Sequence, residues 1–101
     1  MLIRKYRVPV SDNCEIEMPS GSKILHFGIE VVNLVEKGPF LWALVDTAED
    51  LEDRHFRLVR SEGYLHEEDH VKFKYLGSVP WAKGIEMLHL FERMRGSVSI
   101  G

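Results

Sequence analysis

The chain has 101 residues and a mass of 11.7 kDa, which is one domain's worth of polypeptide. Hydrophobic residues make up 45% and charged residues 29%, which excludes a disordered tail, a collagen-like repeat and a disulfide scaffold. A net charge of −3 lacks the basic excess of a general nucleic-acid binder, and a single cysteine, Cys14, excludes an internal disulfide.

The predicted elements are strands, because short apolar runs alternate every second residue and Gly, Pro, Asn and Asp punctuate them. Residues 2–8 place Leu2, Arg4, Tyr6 and Val8 on one side and Ile3, Lys5 and Arg7 on the other. Pro9 and Ser11-Asp12-Asn13 end that strand. In residues 14–18, Cys14, Ile16 and Met18 alternate with Glu15 and Glu17, a half-buried strand with one wet face. Pro19-Ser20-Gly21-Ser22 is a turn signal. Residues 23–32 are apolar on both faces and predict a central strand, with Leu25, Phe27 and Ile29 opposite Ile24, His26 and Gly28. Asn33 predicts the start of a hairpin that closes at Lys37-Gly38.

Residues 40–46 are almost wholly apolar and predict a buried strand, with Trp42 in the core. Residues 47–54 fit a single helical turn, with Thr47 as N-cap and Asp50 three residues on, or equally an acidic loop. Residues 55–60 alternate, residues 61–70 are a polar connection, and residues 71–79 alternate again. Residues 80–84 form a turn that carries Trp81. Residues 85–92 fit strand better than helix. The resulting fold is all-β, with room for one short helix: a six- to seven-stranded antiparallel meander closing as a small barrel or a two-sheet sandwich. Residues 1–92 form the single domain, and residues 93–101 a weakly ordered tail or an added edge strand. The chain contains no apolar run near the ~20 residues of a membrane helix, and its first residues lack the apolar stretch of a signal peptide, so a cytoplasmic domain with no membrane partner is expected.

Several motifs occur in order: Lys5-Tyr6, Ile16-Glu17-Met18-Pro19-x-Gly21, Lys23-Ile24-Leu25-His26-Phe27-Gly28, Leu41-Trp42-Ala43-Leu44-Val45-Asp46, Phe56-Arg57-Leu58-Val59, Tyr75-Leu76-Gly77-Ser78-Val79 and Leu88-His89-Leu90-Phe91-Glu92. Together they resemble a family of short uncharacterised proteins of bacteriophages, prophages and bacteria. The resemblance implies a phage-type accessory protein in the bacterial host cytoplasm, with no catalytic residues and no cofactor to carry over. The chain departs from that pattern around residues 62–70 and beyond Glu92.

His66-Glu67-Glu68-Asp69-His70 fits the H-E-x-x-H pattern. On a helix, such spacing puts two histidines on one face as zinc ligands, with the glutamate as general base. Here the motif lies in a polar connection, where a solvated loop is the plainer expectation; His66 and His70 are the candidate metal ligands of the zinc-hydrolase alternative. His26 and His89 lie on apolar strands and, with Trp42, would line a cavity if the chain binds a nucleotide-like small molecule. Cys14 reads as a small buried hydrophobe, since Glu15 and Glu17 oppose a thiolate. Tyr64 and Trp81 sit in connections, so they are the aromatics expected at the surface. With the acidic Glu67, Glu68 and Asp69 they form the expected partner surface. The leading expectation is a non-enzymatic protein binder, an inhibitor of a host enzyme or antiviral-defence component, with a homodimer as a further expectation from open sheet edges. Nucleic acid is the less favoured partner, given the acidic balance.

Overall fold

A computed structural model describes residues 1–61 and 72–94. Seven strands are described: β1 (Leu2–Arg7), β2 (Asn13–Pro19), β3 (Lys23–Val32), β4 (Val35–Val45), β5 (Leu51–Arg60), β6 (Phe73–Trp81) and β7 (Glu86–Arg93). They form two antiparallel sheets, one of three strands in the order β1-β4-β3 and one of four in the order β2-β5-β7-β6. Of the two closures expected, the two-sheet sandwich is the one adopted. Among these strands only β3–β4 and β6–β7 are neighbours both in sequence and in a sheet; β1, β2 and β3 alternate between the sheets.

The core lies between the sheets and follows two-residue alternation between the bulges. Leu41, Ala43 and Val45 of β4 and Phe27 of β3 face Met18, Phe56, Leu58, Leu88 and Leu90 of the other sheet. Full burial of the larger of these side chains stabilises by about 1.5–3 kcal/mol each. The intervening residues of each strand point outward.

Three irregularities redirect side chains. Leu25 is bulged out of the β3–β4 ladder, so Ile24 pairs with Ala43 while His26 pairs with Trp42. The bulge exchanges the sides that the sequence suggests for Ile24 and Leu25 and leaves the later residues as expected. Ile24, Phe27 and Ile29 pack at the core, while Leu25 is exposed. A second bulge falls between Glu30/Gly38 and Val31/Glu36, so Lys37-Gly38 is a bulge within β4 and not the end of a hairpin loop. The true turn is two residues long, Asn33 and Leu34, both with left-handed backbone (φ 51° and 65°), the geometry of a type I′ hairpin. The third bulge is at Leu76, between the pairs Tyr75/Phe91 and Gly77/Leu90.

Residues 46–50 turn without a helix. The Asp46 carboxylate accepts from the Ala48 amide at 3.0 Å and its carbonyl accepts from the Glu49 amide at 3.1 Å, so an Asx turn replaces the expected Thr47 cap and β5 starts at Leu51. Between β2 and β3, Ser22 N donates to Pro19 O at 3.1 Å, with Gly21 at φ 78° supplying the left-handed third residue of the turn. The β6–β7 hairpin turns through residues 82–85, and Glu36 of the opposite sheet accepts from the Lys83 amide at 2.6 Å, tying the turn across the sandwich. Arg93 closes β7, and Met94 N donates to Lys72 O at 2.8 Å; the rest of the expected tail, residues 95–101, lies outside the described residues.

Candidate functional site

The outer face of the three-stranded sheet brings two of the sequence-predicted residues together. The antiparallel registers place Lys5 opposite Trp42 on one side and His26 opposite Trp42 on the other. The next row is Arg7, Phe40 and Gly28. Paired residues share a face, so two rows of three run across β1, β4 and β3. Trp42 is therefore half-buried on the outside and not a core residue, because the core face of β4 is taken by Leu41, Ala43 and Val45.

Phe40 and Trp42 meet edge to face, with ring centroids 5.6 Å apart and planes at 86°. The Lys5 ammonium lies 5.4 Å from the Phe40 centroid and 5.7 Å from the Trp42 centroid, within cation–π range of both. Gly28 leaves room for its neighbours. A Cβ there would sit 2.9 Å from His26 Nε2 and 3.6 Å from Phe40 Cζ. The exposed His26 ring thus folds over the glycine.

Beside these rows Glu30 forms an ion pair with Lys5. The hydrogen bond and charge of Lys5, reinforced by Arg7 and Lys37, hold the Glu30 carboxyl below the usual glutamate range. Three cations surround one carboxylate, so this corner is locally positive in a chain of net charge −3. A cleft of about 230 Å³ opens there, lined by Lys5, Arg7, Glu30, Lys37 and Phe40. An anionic group and an apolar or planar group could be held side by side at this surface.

His89 does not join His26 and Trp42. It lies on the outer face of the four-stranded sheet, where its Nδ1 is 2.6 Å from Ser78 Oγ and its Nε2 is 2.9 Å from the Ser61 carbonyl oxygen. His26 and Trp42 stand on the outer face of one sheet and His89 on the outer face of the other, so the three do not line one cavity. Trp81 ends β6, half-buried and packed against the core, rather than standing free in a turn. Tyr64, His66, Glu67, Glu68, Asp69 and His70 lie outside the described residues. Among the described residues no three His, Cys, Asp or Glu side chains come together to hold a metal ion. Cys14 is half-buried at the core, and burial pushes its thiol pKa up, as expected for a packing residue.

Sequence reasoning missed Lys5, Arg7, Lys37 and Phe40 as one group. Their joining depends on β1 pairing with β4, and residue types alone do not specify that partner. The available signal was the alternation of Lys5 and Arg7 on one face of β1.

No helix among the described residues is long and apolar enough to cross a membrane. Neither a curated protein nor a solved structure matches the chain. One family matches almost end to end, the domain of unknown function DUF7352, over residues 1–100. The chain belongs to the DUF7352 family.

Proposed function

We propose that the chain is a phage-type accessory protein that acts by binding another protein, through the outer face of its three-stranded sheet. The observation that carries this reading is the pair of rows Lys5-Trp42-His26 and Arg7-Phe40-Gly28, with Lys37 beside them. Aromatic and arginine side chains dominate binding hot spots, and a locally positive rim selects an acidic partner and orients its approach. The sequence resemblance supports a host enzyme or antiviral-defence component as the partner class, and the bacterial cytoplasm as the place of action.

Site-specific photocrosslinking in the host tests this. A photoreactive phenylalanine at Phe40 should give one discrete protein adduct, and Lys5→Glu with Arg7→Glu should abolish it. The same residue at Ile85, which is exposed on the β6–β7 turn, should give none. No adduct at Phe40, or equal adducts at both positions, would refute the reading.

A nucleotide-like ligand is the second reading, favoured by the cationic cleft next to the Phe40 ring. It now rests on His26 and Trp42 without His89. Titration of a Trp81→Phe variant with AMP should then quench Trp42 fluorescence in a salt-dependent way, and an unchanged signal would dismiss it.

A further inference from the structure

The outer face of the four-stranded sheet carries a continuous hydrogen-bonded chain. Tyr75 Oη lies 2.6 Å from Ser78 Oγ, Ser78 Oγ lies 2.6 Å from His89 Nδ1, and His89 Nε2 lies 2.9 Å from the Ser61 carbonyl oxygen. The proton positions follow from the last contact. A carbonyl oxygen can only accept, so Nε2 carries the ring hydrogen of the neutral imidazole. Nδ1 is then the lone-pair nitrogen, and Ser78 must donate to it. Ser78 Oγ in turn accepts from the Tyr75 hydroxyl. The serine therefore points its proton at a base whose tautomer a third group fixes, which is the arrangement an activated nucleophile requires.

The backbone builds this contact deliberately. Tyr75 and Ser78 are three residues apart, and in a regular strand they would face opposite sides. The bulge at Leu76 restores them to one face, opposite Phe91 and His89 respectively. Bulges re-aim side chains in this way next to functional sites. At the other end Ser61 holds a left-handed backbone, φ 45°, while its amide donates to Met87 O at 2.6 Å and its carbonyl receives His89.

We propose that Ser78 is a nucleophilic serine, a site of covalent acylation by activated carboxylic esters, with His89 as the base that takes its proton. The Ser78 Oγ lone pair forms a bond to the ester carbonyl carbon as the hydroxyl proton passes to His89 Nδ1. The tetrahedral adduct then breaks its bond to the leaving alkoxide or phenoxide, which recovers that proton. The products are acyl-Ser78 and the free alcohol, with His89 neutral again. Tyr75 is a positioning residue that keeps a donor on Oγ. The site lies on the opposite sheet from the binding face and does not depend on it.

The test is reaction of the full chain with p-nitrophenyl acetate, read by intact mass and peptide mapping. One acetyl group on Ser78 is expected, formed far faster than in the same chain unfolded in urea. His89→Gln should slow it by about 100-fold or more, the usual size of a general-base contribution. A folded-state rate at Ser78 equal to the urea rate would overturn the proposal, and so would an unchanged rate in a folded His89→Gln protein. If His89→Gln does not fold, the comparison of folded and unfolded wild type decides alone. Ser78→Cys gives an independent reading. Its thiol should react with iodoacetamide at neutral pH well ahead of Cys14, and equal rates would overturn the proposal.

Discussion

Arg54 on β5 and Glu92 on β7 meet diagonally across neighbouring strands on the inner face of the four-stranded sheet, in a two-pronged ion pair. Arg54 Nη2 donates to Glu92 Oε1 at 2.7 Å, and Nε donates to the second carboxylate oxygen. The remaining guanidinium nitrogen reaches Ser22 O in the turn between β2 and β3, and Met18 Sδ at 3.5 Å. The two side chains are only 16% and 14% exposed. One residue thus fastens β7 and the β2–β3 turn to β5 at the open end of the core.

Removal of either partner leaves the other charge poorly solvated and unmatched. Arg54→Ala should cost about 2 kcal/mol, lowering Tm by roughly 10 °C in a chain of this size. The double change Arg54→Met with Glu92→Leu should lose less than either single change, because no charge is then stranded. Thermal melts of Arg54→Ala, of Arg54→Met and Glu92→Leu singly, and of the double change check both points. A double mutant less stable than both singles would contradict the account.

Tyr6 packs its ring against the core, yet its hydroxyl is buried without a hydrogen-bond partner among the described residues. Such a group lowers stability by its lost hydration. Tyr6→Phe should therefore stabilise the fold by about 1 kcal/mol. Chemical denaturation would show a higher midpoint at unchanged slope; a lower midpoint would mean that the hydroxyl is satisfied in solution.

Leu34 is 92% exposed at the tip of the β3–β4 hairpin, in the left-handed conformation that a type I′ turn demands. Leucine has no local reason to be there, since glycine occupies that backbone region without steric penalty. Leu34→Gly should raise stability by about 0.5–1 kcal/mol. Val31, Val32 and Val35 are also exposed around it. A gain in Tm for Leu34→Gly confirms the strain, and a loss would show that the leucine side chain supports the fold.

Glu30 titrates below the usual glutamate range because Lys5 hydrogen-bonds and attracts its charged form. A carboxyl whose folded pKa is lowered contributes stability that is present above its unfolded value. That contribution disappears as pH falls through the folded value. The pair therefore persists at neutral and mildly acidic pH and opens only below the ordinary value of ~4.3. NMR titration of the Glu30 carboxyl should give a midpoint below that value, and Lys5→Met should move it upward. A wild-type midpoint at or above the ordinary value would remove Lys5 from this role.

The strands were legible wherever alternation ran unbroken. Cys14, Ile16 and Met18 on β2, with Phe56 and Leu58 on β5, face inward as their spacing predicts. The reading failed at bulges, since one extra residue puts the side chains before and after it out of step. Leu25 looked like a core residue and is exposed, whereas the neighbouring Ile24 packs inward. Lys37-Gly38 carries a turn-like composition because a bulge uses the same backbone freedom. Trp42 was misplaced for a different reason. Residues 40–46 are apolar on both faces, so period gives no direction there, and the outer aromatics are partly covered by Lys5 and by each other. Of the candidate site, His26 and Trp42 were named from sequence, but two of their cationic neighbours, Lys5 and Arg7, come from β1, far away in the chain.

The alternation of strands between sheets also dictates the order in which the chain can satisfy its backbone during synthesis. The β3–β4 hairpin forms from adjacent residues, and β1 can join it once β4 is made. Strand β2 has no partner until β5 emerges, and β5 must wait for β7 to cover its other edge. Until its partners, residues 51–57, have been made, the strand carrying Ile16 and Met18 is therefore left open. Glu15 and Glu17, which alternate with them, put negative charge along that waiting edge, a safeguard against premature pairing with another nascent chain.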